Sequence, residues 1–184
     1  MKGRLIIIAS PSGGGKTSVI SALMKKYPEM VHSISCTTRP KRPGEVNGEY
    51  YHHIEEKSFR DGILAGRFAE WNEVHNNLYG TPKEPIDMWL KEGRDVLLDL
   101  DVVGSLRLQS FYRDRAVSIF IIPPTIAELE RRLCSRATDS KDVQELRIHN
   151  AHAELTYQDK FDHQVINDDL GRAVAKIEEI LSLC

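Results

Sequence analysis

Residues 4–17, RLIIIASPSGGGKT, constrain the fold more than any other stretch of the chain. The apolar run is short, partly β-branched and not alternating, as expected of a strand covered on both faces. It passes directly into three glycines, a lysine and a threonine. Beyond them, Val19, Ile20, Leu23 and Met24 share one face of a helix predicted over 16–26. Strand, glycine-rich loop and helix, in that order, form the setting in which G-x-x-x-x-G-K-[ST] cradles phosphate oxygens. Gly15, Lys16 and Thr17 match the end of that pattern, and Ser10 stands at its first glycine. A small serine fits there unless the position requires positive φ.

On this reading the loop Ser10, Pro11, Ser12, Gly13, Gly14, Gly15, Lys16 and Thr17 binds a nucleoside triphosphate. Backbone N–H groups from Gly13 to Thr17 and the helix N-terminus face the phosphates. Lys16 bridges the β- and γ-phosphates, and the Thr17 hydroxyl ligates Mg²⁺.

Three further apolar runs read as buried strands: 95–100, 117–122 and 163–167. Helical spacing recurs after Pro123–Pro124, where Thr125 and Glu128 form a capping box, and again through Val174, Ile177, Ile180 and Leu181. The alternation predicts an α/β fold with a central parallel sheet flanked by helices. Residues 34–84 break the rhythm and read as an inserted lobe with a helix near 56–65, while 134–148 read as a mobile flap before another helix. A chain of 184 residues suits one domain and buries roughly 70% of its unfolded surface.

A formal net charge of −2 excludes a bulk electrostatic grip on nucleic acid, so any anion site must be local. Cys36, Cys134 and Cys184 have no CxxC spacing and imply a reducing compartment. The run Leu5–Ala9 is too short for a secretory leader, and no stretch approaches the ~20 apolar residues of a membrane span. A cytoplasmic location is expected.

The insert carries a second anion site. SISCTTRPKRPGEVNGEYYH (33–52) places Arg39 and Arg42 three apart, with Ser35, Tyr50 and Tyr51 nearby. Two guanidinium forks and several hydroxyls suit a phosphate dianion. Glu70, Tyr79, Thr81, Asp99 and Asp101 follow. Guanine presents N1–H and N2–H₂ donors, which a carboxylate accepts; adenine presents an acceptor at N1. An acid beside a hydroxyl therefore reads guanine, with discrimination on the order of 10⁴.

SPSGGGKT, SISCTTRPKRPGEVNGEYY, FAEW, YGT, LLDLD, IIPP, RRLCSRATDS and VINDDL together resemble the bacterial guanylate kinases over almost the whole chain. The resemblance implies a P-loop nucleoside-monophosphate-kinase fold: a core (1–33, 85–133, 149–184), a GMP-binding lobe (34–84) and a lid (134–148). It implies ATP-dependent phosphorylation of GMP, and of dGMP, with Mg²⁺ as cofactor. Ser35, Arg39, Arg42, Tyr51 and Tyr79 would hold the GMP phosphate, and Glu70, Thr81 and Asp101 would read guanine. Asp99 would lie near Mg²⁺ through water. Arg132, Arg136 and Arg147 would close over the ATP phosphates, with Asn167 near adenine. Lys16, Arg39, Arg136 and Arg147 would be catalytic. Ser10, Cys36, Val103 and Ala137 depart from the family pattern.

Other readings stand beside this one. Asp99 and Asp101, at i and i+2 on the end of a strand, could be plain surface carboxylates, and the lid arginines on spacing alone read equally as solvated helix charges. A non-catalytic phosphopeptide-binding module has no use for Lys16, Thr17 and lid arginines. A GTPase switch would want N-K-x-D, which VINDDL is not. Glu70 and Asp101 disfavour AMP, UMP and CMP. Glu55–Glu56 and Glu178–Glu179 read as exposed helix, Trp71 and Trp89 as core, and Cys36 as a small packing residue. His52–His53 lack partners at metal-ligand spacing.

Overall fold

Every residue of the first strand, β1 (Leu5–Ala9), is buried, and its side chains alternate between two cores. The structure, a computed structural model, describes residues 3–49, 51–74, 76–134 and 141–183. After β1 come α1 (Lys16–Lys26), β2 (Val31–Ser33), β3 (Ser35–Thr37), β4 (Tyr51–His53), α2 (Glu56–Leu64), β5 (Phe68–Val74) and β6 (Asn77–Pro82). The chain continues through α3 (Lys83–Lys91), β7 (Val96–Asp99), α4 (Val102–Tyr112), β8 (Ala116–Ile122), α5 (Ile126–Cys134), α6 (Lys141–Leu155), β9 (His163–Ile166) and α7 (Leu170–Leu183).

Among the described residues, β2-β7-β1-β8-β9 form one sheet in that order, parallel throughout. Ile6 and Ile8 face α1 and α7 through Val19, Leu23 and Ile177. Leu5 and Ile7 face α3 and α4 through Ile86, Leu90 and Leu108. Cover on both faces is why β1 reads as one continuous apolar run. The inserted lobe is built on a second sheet, β4-β3-β6-β5, of mixed direction.

Four expectations need correction. The central sheet contains β2, whose three residues on an edge, two half-buried and one buried, leave no readable period. Asp101 is not on the strand with Asp99. β7 ends at Asp99, and the Asp101 carboxylate accepts from the Gly104 N–H at 2.7 Å as the N-cap of α4, so the cap prevails over strand extension. Trp71 is 41% exposed, because β5 is the edge strand of the lobe sheet, whereas Trp89 packs against the α3–α4 core. Of the capping box, Glu128 N–H donates to Thr125 Oγ1 at 3.1 Å, but the Glu128 carboxylate takes Arg131 and Arg132 instead. These two guanidinium groups hold its carboxyl down to about 2.

Helix α6 starts at Lys141, inside the segment read as a flap. Arg136 and Ala137 lie outside the described residues, as do Tyr50 and Cys184.

Candidate active site

The loop after β1 lies at the carboxyl end of a parallel strand, where open α/β sheets bind ligands. Ser10 is buried and its φ is not positive: among the described non-glycine residues only Asn76 and Arg113 have positive φ. The serine therefore meets no backbone obstacle. Gly13 and Gly15 do take left-handed values, φ 83° and 92°, and Gly15 is the residue from which α1 departs. Asn167, just past the end of β9, donates from Nδ2 to the Gly14 carbonyl at 2.9 Å, and a Cβ on Gly15 would collide with that amide. The predicted adenine-side residue thus also braces the loop.

Lys16 Nζ lies 2.6 Å from Asp99 Oδ1 and donates to the Leu100 carbonyl at 2.5 Å. Thr17 is exposed on the first turn of α1. The loop, Asp99, Asp101 and Arg132 line a cavity of about 490 Å³. Arg132 is held by Glu128 at 2.8 Å and donates to the Asn167 carbonyl at 3.2 Å. Arg147 lies on α6.

On the lobe side, Glu70 is 8% exposed and accepts from Thr81 Oγ1 at 2.6 Å, with Ser35 Oγ 3.4 Å from the same hydroxyl. Burial pushes the Glu70 carboxyl up to about 7, against the Thr81 hydrogen bond and aided by the charge of Asp101. Glu70 and Asp101 converge beside Gly104, where an added Cβ would come within 3.0 Å of Glu70 Oε2 and 3.5 Å of Asp101 Oδ1. Tyr51 and Tyr79 meet edge to face at 5.6 Å, and burial, with Asp99 nearby, pushes the Tyr51 phenol up to about 12. Arg39 Nη2 donates to both Glu45 carboxylate oxygens at 2.8 and 3.0 Å, while the Arg42 side chain is exposed. These arginines line a second cavity of about 390 Å³.

The two cavities share Thr17, Ser35, Tyr51, Tyr79 and Asp99 in their walls, so they adjoin where the sheet end meets the lobe. A larger groove, about 840 Å³, lies along α3 and holds none of these groups. Its size is no guide to chemistry.

A phosphate-binding loop beside a carboxylate-and-hydroxyl pocket is the frame of a mononucleotide kinase, and the family model described as guanylate kinase matches residues 2–183. The chain belongs to the guanylate kinase family. A guanylate kinase of Chelativorans sp. is 42% identical over 98% of this chain and 83% of its own length. One from Thermotoga maritima is 41% identical over 98% and 87%. The crystal structure of guanylate kinase from Anaplasma phagocytophilum superposes with a TM-score of 0.82 at 29% identity, covering 98% of this chain and 85% of that one. A shikimate kinase from Bacteroides thetaiotaomicron, 14% identical with a TM-score of 0.52, shares the fold alone.

Three groups of this guanylate kinase's site escape sequence reasoning. Glu45 neutralises Arg39 and also accepts the Arg42 N–H at 2.7 Å; its place within six residues of Arg39 was a usable charge signal. His32, on β2, lines the smaller cavity with its Nε2 buried and unpartnered, and burial lowers its imidazole pKa. Glu154, on α6, accepts the Ser12 N–H at 2.9 Å, and nothing local in the sequence links residues 142 positions apart. Cys36 is half-buried with its thiol pushed up by burial, as suits packing.

Proposed function

We propose that this guanylate kinase performs ATP + GMP → ADP + GDP across the junction of the two cavities, with ATP on the loop 10–17 and GMP on the lobe sheet. The observation that carries the assignment is the shared wall: Thr17 of α1 and Asp99 of β7 line both cavities together with Ser35, Tyr51 and Tyr79 of the lobe. A phosphate held by Ser35, Arg39, Arg42, Tyr51 and Tyr79 would sit in line with a γ-phosphoryl held by the loop. Glu70, Thr81 and Asp101 read guanine, the base that GMP and dGMP have in common.

The transfer needs no covalent intermediate and no general base, since a phosphate dianion is already a nucleophile. The work of the protein is positioning and charge neutralisation by Lys16, Arg39, Arg136 and Arg147. Arg132 and Asn167 complete the ATP side. The donors available to Mg²⁺ are hard oxygens, the Thr17 hydroxyl and the Asp99 carboxylate, the latter through water, which suits that cation. Bound there, Mg²⁺ would neutralise charge on the β- and γ-phosphates.

We place the activity in purine nucleotide recycling in the cytoplasm, with nucleotides rather than nucleic acid or membrane as partners. Among the described residues no helix is long and apolar enough to cross a membrane. The test is Mg²⁺-ATP-dependent ADP release with GMP, dGMP, AMP, UMP, CMP or no acceptor. Turnover with the guanine nucleotides alone is expected; equal turnover with AMP would remove the guanine assignment of Glu70 and Asp101.

A further inference from the structure

A carboxylate in the wall of a triphosphate cavity opposes its ligand unless it has a separate task. Glu154 is such a group. It is half-buried on α6, and burial raises its carboxyl pKa while the Ser12 N–H and Lys16 act to lower it. Its Oε2 takes the Ser12 N–H at 2.9 Å. Ser12 precedes the run Gly13–Thr17 whose N–H groups are assigned to phosphate, so the contact leaves those donors free.

The adjoining face of α6 is set by packing. Ile148, Ala151 and Leu155 lie against Leu129 and Leu133 of α5. The same two leucines press on the loop, because a Cβ on Gly13 would meet them at 3.1–3.2 Å. Helices α5 and α6 therefore hold two successive loop residues, one by apolar contact and one by hydrogen bond. Arg147 precedes Glu154 by two helical turns, about 10 Å along the axis, and shares its face.

We propose that Glu154 is a positioning residue: by holding the Ser12 N–H it registers α6 against the phosphate-binding loop and aims Arg147 at the transferring phosphoryl. The proposal rests on the assignment of Arg147 made above. Glutamine at 154 keeps an acceptor for the amide, and alanine does not.

The experiment is a cycle of Glu154→Ala, Glu154→Gln, Arg147→Ala and the Glu154→Ala/Arg147→Ala double variant, with kcat and both KM values measured. Glu154→Ala should lower kcat on the order of tenfold with GMP KM unchanged, since a small misplacement of a positioned group costs rate. Glu154→Gln should restore most of it, and Glu154→Ala should add little in the Arg147→Ala background. Equal losses in both backgrounds, a glutamine variant as impaired as alanine, or a parallel rise in GMP KM would overturn the proposal. Full kcat in Arg147→Ala alone would instead remove the Arg147 assignment, and with it the aiming role. Amide exchange at Ser12 then decides the anchor: exchange no faster in Glu154→Ala than in Glu154→Gln overturns that as well.

Discussion

Lys16 and Asp99 form an ion pair, 2.6 Å from Nζ to Oδ1, across the mouth of the phosphate-binding loop. The pair joins the β1–α1 loop to the end of β7, the two strand ends that the sheet sets side by side. Each partner is assigned to a different charge of the bound complex, Lys16 to phosphate and Asp99 to hydrated Mg²⁺, so binding must exchange the pair for both.

Removing Lys16 deletes the charge assigned to the transferring group and touches no residue of the lobe sheet. Lys16→Ala should lower kcat by about 10²-fold or more while GMP still binds. Turnover kinetics with calorimetric GMP titration checks this, and retained kcat would displace Lys16 from the transfer step.

GMP affinity should depend on pH through Glu70. Its carboxyl is raised to about 7 by burial, so the unliganded site is protonated below that value and ionised above it. Guanine offers donors, so the proton must leave on binding. GMP affinity should therefore fall by about tenfold per pH unit below 7 and level off above it. Titrations between pH 5.5 and 8.5 test the slope; a flat profile would take guanine reading away from Glu70. The sign for stability is the reverse. The folded state holds the proton more tightly than the unfolded chain, so this contribution is complete below the unfolded pKa near 4.5 and is lost as pH rises through about 7. Glu70→Gln should thus raise Tm at pH 8 more than at pH 5, by up to about 3 kcal/mol equivalent.

Gly14 has no room for a side chain because Ser10 occupies it: a Cβ there would lie 2.9 Å from Ser10 Cβ and 3.0 Å from the Pro11 carbonyl. Gly14→Ala should raise ATP KM by about tenfold through displacement of the loop. Adding Ser10→Gly should restore part of the loss, since one of the two obstructions goes. No restoration would mean that the Pro11 carbonyl alone sets the limit.

Glu45 holds the Arg39 fork and the Arg42 backbone together, and those contacts keep its carboxyl near 2. Glu45→Ala should raise GMP KM on the order of tenfold, by loss of pre-organisation, and leave ATP KM alone. Initial-rate kinetics against each substrate separates the two; a matching rise in ATP KM would place the effect on the fold.

Much of this protein was readable because its determinants are local. β1, the loop and α1 follow from a continuous apolar run, three glycines and a 3.6-residue period within residues 4–26. β8 announces itself in the same way, as does α7. β9, expected as a buried strand, is an edge strand that buries only Val165 of its four residues. The loop motif nominated Lys16, its pairing with Arg42 nominated Arg39, and guanine's donor pattern nominated Glu70, whereas Asp99 was nominated only by the family resemblance.

What the tertiary structure decided is which distant groups meet. The three residues of β2 became an edge strand only because β7 was there to pair with them. Asp101 left the strand because Gly104 offered an amide to cap. Glu70 acquired a raised pKa from burial that no pattern of neighbours in the chain encodes. Glu154 reached Ser12 across 142 residues. Sequence periodicity reports the face an element must bury, whereas burial depth and long-range pairing depend on which elements the fold brings against it.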